Sequence, residues 1–273
     1  MAGRCAVRHG PKIILQRAAK CGSRTLAARL APELPNGMPG PTHVGLWMAT
    51  HLPADLLRIT SIREPVAWHV SHFTHWLLSW RAGFDRVIEW MRPDLAAFAR
   101  ELLDQHDTHP TNPDTIAILW AGYIEGALCP RDAGLSLDRN PAAMAWGVPP
   151  QDMPVRRWMD RTGMGLYSWA YTRSVLARED WLLSAPALIG AARHRAIYGA
   201  ALDCAQLDRA LPILAALYDL AIVDAPRIGK SASAPRITPT PDQIARILAY
   251  ERLSYAVHPW GEDMPAITWG DHS

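Results

Sequence analysis

Apolar and polar positions along this chain fall into blocks of two kinds. Residues 12–17 are a short apolar run of strand length, and a knot of small and basic residues follows at 18–25. Leu26, Ala27 and Leu30 then recur at helical spacing. Residues 43–49 give a second strand-like run that ends in Thr50-His51-Leu52-Pro53, and residues 56–62 a third that ends in Arg63-Glu64-Pro65. From there the spacing of Val66, Val70, Phe73 and Leu77 predicts a helix. Strands alternating with helices in this order predict an α/β fold around a parallel sheet.

The middle of the chain has a different texture. Residues 84–103 read as an amphipathic helix, 104–115 as a polar loop and 116–128 as helix again. Residues 129–165 are rich in proline and glycine and irregular, a length that in a compact domain belongs to a lid, a binding loop or disorder. Two later runs, 195–202 and 218–225, are strand-like, with a helix expected over 206–217 between them. A basic loop of small residues then leads into a last helix over 241–256.

Composition narrows the class. At 273 residues the chain can bury a substantial core, and one domain over 1–273 is expected, with 77–195 as a helical and irregular insertion. Apolar residues make up 49% and charged residues 20%, the balance of a soluble globular protein. A formal net charge of +2 excludes the strong basic excess of a dedicated nucleic-acid binder, but leaves room for a local basic pocket. Cys5, Cys21, Cys129 and Cys204 are scattered, so neither a disulfide framework nor a structural metal site is expected. The first residues lack the apolar core of a signal peptide, and no run approaches the ~18 apolar residues of a membrane span. The expectation is a cytoplasmic protein.

Two stretches carry chemistry. Lys20-Cys21-Gly22-Ser23-Arg24-Thr25 lies between a strand and a helix start, where unpaired N–H groups and the positive helix end attract anions. Lys20 adds a cation, Ser23 and Thr25 add hydroxyls, and Gly22 permits a tight turn with close ligand approach. Taken alone, an ordinary helix cap with a solvated lysine accounts for the stretch equally well. The nucleoside-triphosphate loop G-x-x-x-x-G-K-[ST] is absent, because the lysine precedes the glycine. In the second stretch Arg63 ends a strand, Pro65 suits the first turn of a helix, and Ser71 lies nearly two turns further on. Arginine grips phosphate bidentately and Ser71 can reach the same anion. For either residue alone a surface ion pair or an exposed serine is the simpler account.

Together, Lys-x-Gly-Ser-x-Thr after the first strand and Arg-x-Pro with a serine eight residues after the arginine resemble the sulfotransferases that use 3′-phosphoadenosine 5′-phosphosulfate (PAPS). The intervening Thr50-His51-Leu52-Pro53 is similar to a motif of the cytosolic enzymes, and residues 229–256 resemble the closing segment of the carbohydrate-acting branch, ending near Glu251 and Tyr255. The matched motifs spread from residue 12 to 256; residues 77–195 carry no resemblance. The family implies a three-layer α/β/α core with a P-loop-like phosphosulfate loop, PAPS as donor, 3′-phosphoadenosine 5′-phosphate (PAP) as product and no metal. By position, Lys20 would neutralise the departing phosphate, while Gly22, Ser23, Arg24 and Thr25 would hold the 5′-phosphosulfate. Arg63 and Ser71 would bind the 3′-phosphate, and Lys230 and Ser231 would close over it. Arg24 stands where the family often has a hydroxyl residue, and Ala49 replaces the lysine that precedes the Thr-His-Leu-Pro motif.

The implied reaction is sulfuryl transfer to a hydroxyl of a carbohydrate or other small-molecule alcohol, by in-line displacement that depends on positioning and charge stabilisation. His51 is the expected base, with Glu125 and Glu89 as the other candidates. His69, His72 and His75 share one helix, where capping, packing or cleft-lining outweighs metal binding. Trp80, Trp90, Trp120, Trp146, Trp158, Trp169 and Trp181 are expected to shape the acceptor cleft. A small-molecule kinase would want a Walker-type loop and an acidic magnesium ligand at a strand end; an inactive nucleotide-binding relative is the other alternative.

Overall fold

The computed structural model describes residues 13–16, 20–34, 57–80, 93–128, 199–228, 234–252, 255, 260 and 264–270. The strand expected at 43–49, and with it His51, Glu89, Lys230 and Ser231, lies outside the described residues, as does the irregular stretch 129–165.

The described elements, in chain order, are β1 (Ile13–Gln16), α1 (Ser23–Arg29), a 3-10 turn (Ala31–Glu33), β2 (Leu57–Ile62), α2 (Pro65–Leu78), α3 (Pro93–Gln105), α4 (Pro113–Leu128), β3 (Ala200–Asp203), α5 (Leu207–Tyr218), α6 (Pro241–Tyr250) and β4 (Ile267–Trp269). The fold is mixed α/β, with a mostly parallel four-stranded sheet in the order β1-β2-β3-β4. β1 pairs parallel with β2 from Ile13↔Leu57 to Gln16↔Thr60. β2 pairs parallel with β3 from Ile59↔Ala200 to Ile62↔Asp203. β4 closes the described sheet antiparallel to β3, with Leu202 opposite Ile267.

Period-two alternation divides the strand side chains between two apolar clusters. Leu15, Ile59, Ala200 and Leu202 pack with Leu26 and Leu30 of α1 and with Leu207, Leu211 and Leu214 of α5. Ile62 and Ala201 join the other cluster, with Trp68, Phe73 and Leu77 of α2 and with side chains of α3, α4 and α6. Trp80 and Trp120, expected near the acceptor cleft, are core residues at 4% and 3% exposure.

Helix starts follow local chemistry. Pro65, Pro93, Pro113 and Pro241 each open a helix, where the missing N–H costs nothing and φ is already set. Asn112 Oδ1 accepts from the Asp114 amide (2.8 Å) ahead of α4. Thr240 and Gln243 form a reciprocal capping box on α6.

One expected strand is corrected. Residues 218–225 have strand-like apolarity, but Tyr218 is the last residue of α5 and residues 219–225 form no strand. Asp219, left-handed at φ 51°, turns the chain, and its polar backbone groups then find partners on α1 and the 3-10 turn after it instead of a sheet. The Ala221 amide donates to Glu33 Oε1 (2.6 Å) and the Val223 amide to the Arg29 carbonyl (2.9 Å). Arg29 Nε donates to the Ala225 carbonyl (3.0 Å). At the far end Thr25 Oγ1 accepts from the Ile228 amide (2.9 Å) and lies 3.3 Å from the Ile228 carbonyl. The partners run 33, 29, 29, 25, so this strap passes antiparallel along α1 towards its N-terminus. Arg29 and Arg227 both pair with Asp208 of α5 and tie the strap sideways.

Thr25→Val keeps the shape and removes both strap bonds. Denaturant unfolding should show a loss of about 1 kcal/mol, and hydrogen exchange should accelerate selectively at the Ile228 amide.

Candidate functional site

In an open parallel sheet, ligands gather beyond the carboxyl ends of the strands. Three strand ends meet here. Lys20 to Gly22 follow β1, Arg63 follows β2, and Cys204 follows β3 with its amide on the Ile62 carbonyl (2.9 Å). Gly22 lies against Cys204: a Cβ built on it would sit 3.2 Å from Cys204 Cβ. With φ at 74° Gly22 is in the left-handed region, where it caps α1 without a side-chain bond. Lys20 is left-handed too, at φ 59°, a costly conformation for a residue with a side chain. Arg63 Nη1 donates to the Lys20 carbonyl (3.0 Å) and braces that turn from β2.

Two guanidinium groups stand beside the Lys20 ammonium at this turn. Burial, then the Arg63 and Arg24 guanidinium groups, push Lys20 down to about 8 from 10.5, with only the Cys21 thiol acting in the other direction. Among the described residues neither the Lys20 ammonium nor Arg24 has a hydrogen-bond or ion-pair partner. A half-buried lysine, beside two arginines and without a carboxylate, fits an anion as its counter-charge. The first turn of α1 adds backbone N–H groups to the same place.

The expected residues separate into three groups. Lys20, Gly22, Arg24 and Arg63 are brought together. Ser23 is buried in the first turn of α1, and the Thr25 hydroxyl is engaged by the Ile228 backbone. Ser71 is partly exposed two turns into α2. The strap ends at Ile228, two residues before Lys230 in sequence. Glu125 lies two positions after Tyr123 on α4, hence about 200° around the helix from it.

Composition and spacing did not show what holds α2 in place. Glu64 caps α2, accepting from the amides of Val66 (2.9 Å) and Ala67 (2.7 Å), and it also accepts from the Tyr255 hydroxyl. One turn on, fully buried His69 places Nε2 2.8 Å from Glu251 Oε1 and Nδ1 2.9 Å from the Tyr123 hydroxyl. The same hydroxyl is 3.2 Å from His72 Nδ1. His72 stacks on Trp68 at 4.4 Å between ring centroids and leans on Trp76 at 3.8 Å. Burial first, then His69, Lys20 and His75, hold His72 well below the usual imidazole range. His75 is lowered by burial, Lys20 and Arg24, so α2 feels the cation cluster over its third turn. Glu251 and Tyr255 were visible only as an acidic residue and a tyrosine ending the last helix; their partners on α2 had no signal in the spacing.

No family model, curated protein or solved structure matches this chain.

Two outcomes follow. Gly22→Ala should lower stability by roughly 1–2 kcal/mol in denaturant titration, through left-handed strain and the approach to Cys204. For Lys20, a folded pKa below the unfolded one means that the folded chain binds fewer protons between about 8 and 10.5. The group therefore opposes folding below that window and ceases to as pH rises through it. An anion reverses this preference, so PAP binding near pH 8–9 should take up a proton. Calorimetry in buffers of different ionisation enthalpy measures that uptake.

Proposed function

We propose that the chain is a PAPS-dependent sulfotransferase that moves a sulfuryl group to a hydroxyl of a carbohydrate or other small-molecule alcohol. The observation that carries this reading is the Lys20–Arg24–Arg63 cluster, which sets three cations together at the ends of β1 and β2. The mostly parallel sheet, with helices in both of its apolar clusters, is consistent with the family's three-layer core and P-loop-like loop. The residues present suit the donor. Lys20 and Arg24 match the phosphosulfate in charge, and Arg63 has the fork geometry for a phosphate.

In this reading the acceptor oxygen forms a bond to sulfur while the bond from sulfur to the bridging oxygen breaks. The electron pair leaves on the phosphate of PAP, beside Lys20. The leaving group is already an anion, so an ammonium can stabilise the growing charge. The hydroxyl proton needs a base; the family resemblance nominates His51, with Glu125 and Glu89 as the remaining candidates from the sequence.

Isothermal titration tests the donor. PAP should bind well above ADP, and Arg63→Ala should weaken PAP by about ten-fold or more, the worth of one charge-assisted hydrogen bond. Lys20→Ala should abolish label transfer from PAPS while leaving the fold intact by circular dichroism. Equal affinity for PAP and ADP would count against the reading and favour a kinase-like transferase. PAP binding without any turnover of PAPS would favour an inactive relative.

A further inference from the structure

We propose that His72 Nε2 takes the proton of the acceptor hydroxyl, and that a buried chain from Glu251 through His69 and Tyr123 fixes it as a bare lone pair. The inference rests on the sulfotransferase reading and gives the base role to His72 in place of His51.

The direction of each hydrogen bond follows from which atoms can donate. A carboxylate only accepts, so His69 Nε2–H donates to Glu251 Oε1 across 2.8 Å. With His69 neutral, its Nδ1 is then a lone pair, and the Tyr123 hydroxyl donates to it across 2.9 Å. A phenol has one proton. Having given it to His69, Tyr123 can only accept from His72, 3.2 Å away, which places the His72 proton on Nδ1. His72 Nε2 is left unprotonated. Among the described residues that nitrogen has no hydrogen-bond partner, yet it is not one of the sealed polar atoms, and the residue is only partly buried. The logic is that of an orienting acid setting the tautomer of a catalytic imidazole, with one phenol and one extra imidazole in between.

Position and charge agree with the role. The ring is clamped by Trp68 and Trp76, and Tyr123 is itself held against Phe73, Trp76 and Trp120. The titratable groups that face His72 are Lys20 from the turn after β1, His69 and His75 from its own helix, and Tyr123 from α4. Burial first, then His69, Lys20 and His75, keep His72 neutral while the site is empty of anions. A bound phosphosulfate offsets the Lys20 share of that lowering and raises the basicity of Nε2 when an acceptor needs it. In the transfer step Nε2 receives the hydroxyl proton as the oxygen–sulfur bond forms, and the imidazolium then returns it to solvent.

The test uses the full chain labelled with nitrogen-15 in histidine, PAP as probe, and release of labelled sulfate from PAPS to water as the reaction. At alkaline pH the ring shifts should show His72 with its proton on Nδ1. Tyr123→Phe should release that tautomer, so that the His72 proton is no longer held on Nδ1. PAP should raise the His72 pKa by about one unit, the scale of one neighbouring charge. His72→Asn should lower sulfate release by about 10²- to 10⁴-fold with PAP affinity unchanged. A His72 proton on Nε2 at alkaline pH, or sulfate release by His72→Asn at the native rate, overturns the proposal and leaves the sulfotransferase reading standing. If the native chain does not bind PAP, both fall together.

Discussion

The hydrogen bond from Arg63 to the Lys20 carbonyl is the contact on which the rest of the site depends. It joins the ends of two adjacent parallel strands, and it braces a turn with left-handed residues on both sides of buried Cys21. Such a turn is held only where its surroundings over-determine it. Here they do so from three directions: Arg63 from β2, the close approach of Gly22 to Cys204 beyond β3, and Thr25 from the start of α1. The brace is also a like charge beside Lys20, so the same contact that fixes the geometry lowers the lysine's affinity for its proton.

The C-terminal part of the chain supplies the other constraint. Glu251 and Tyr255 fasten the end of α6 to two points on α2, one at its cap and one at its second turn. Removing one partner of so buried a pair leaves a stranded polar group, which costs far more than the pair contributes. The register of α2 is therefore well determined, and with it the place of Arg63, Ser71 and the three histidines relative to β2.

Much of the frame was legible in the sequence, and for physical reasons. β1, β2 and β3 are apolar runs of strand length, α2 has apolar residues at turn intervals, and the proline-led helix starts announce themselves locally. What failed was also local in origin. Residues 218–225 have the composition of a strand, but strandness is completed by a neighbour, and Glu33 and Arg29 offered their backbone groups other partners. β4 has three residues, too few to show a period. At the site, the cation cluster was legible as two motifs. Tyr123 was not, since a tyrosine on an apolar helix face gives no sign that its hydroxyl is shared by two histidines from another helix.

The long-range ties have a consequence for the order of events in synthesis. Thr25 waits for Ile228, 203 residues later, His69 for Glu251, 182 later, and Glu64 for Tyr255, 191 later. At ~5–20 residues per second, a ribosome takes on the order of ten to forty seconds to deliver those partners. Until then the lysine turn and α2 exist as sequence without a locked geometry. The lysine turn and α2 are therefore locked together and late, only once residues 228–255 have been made.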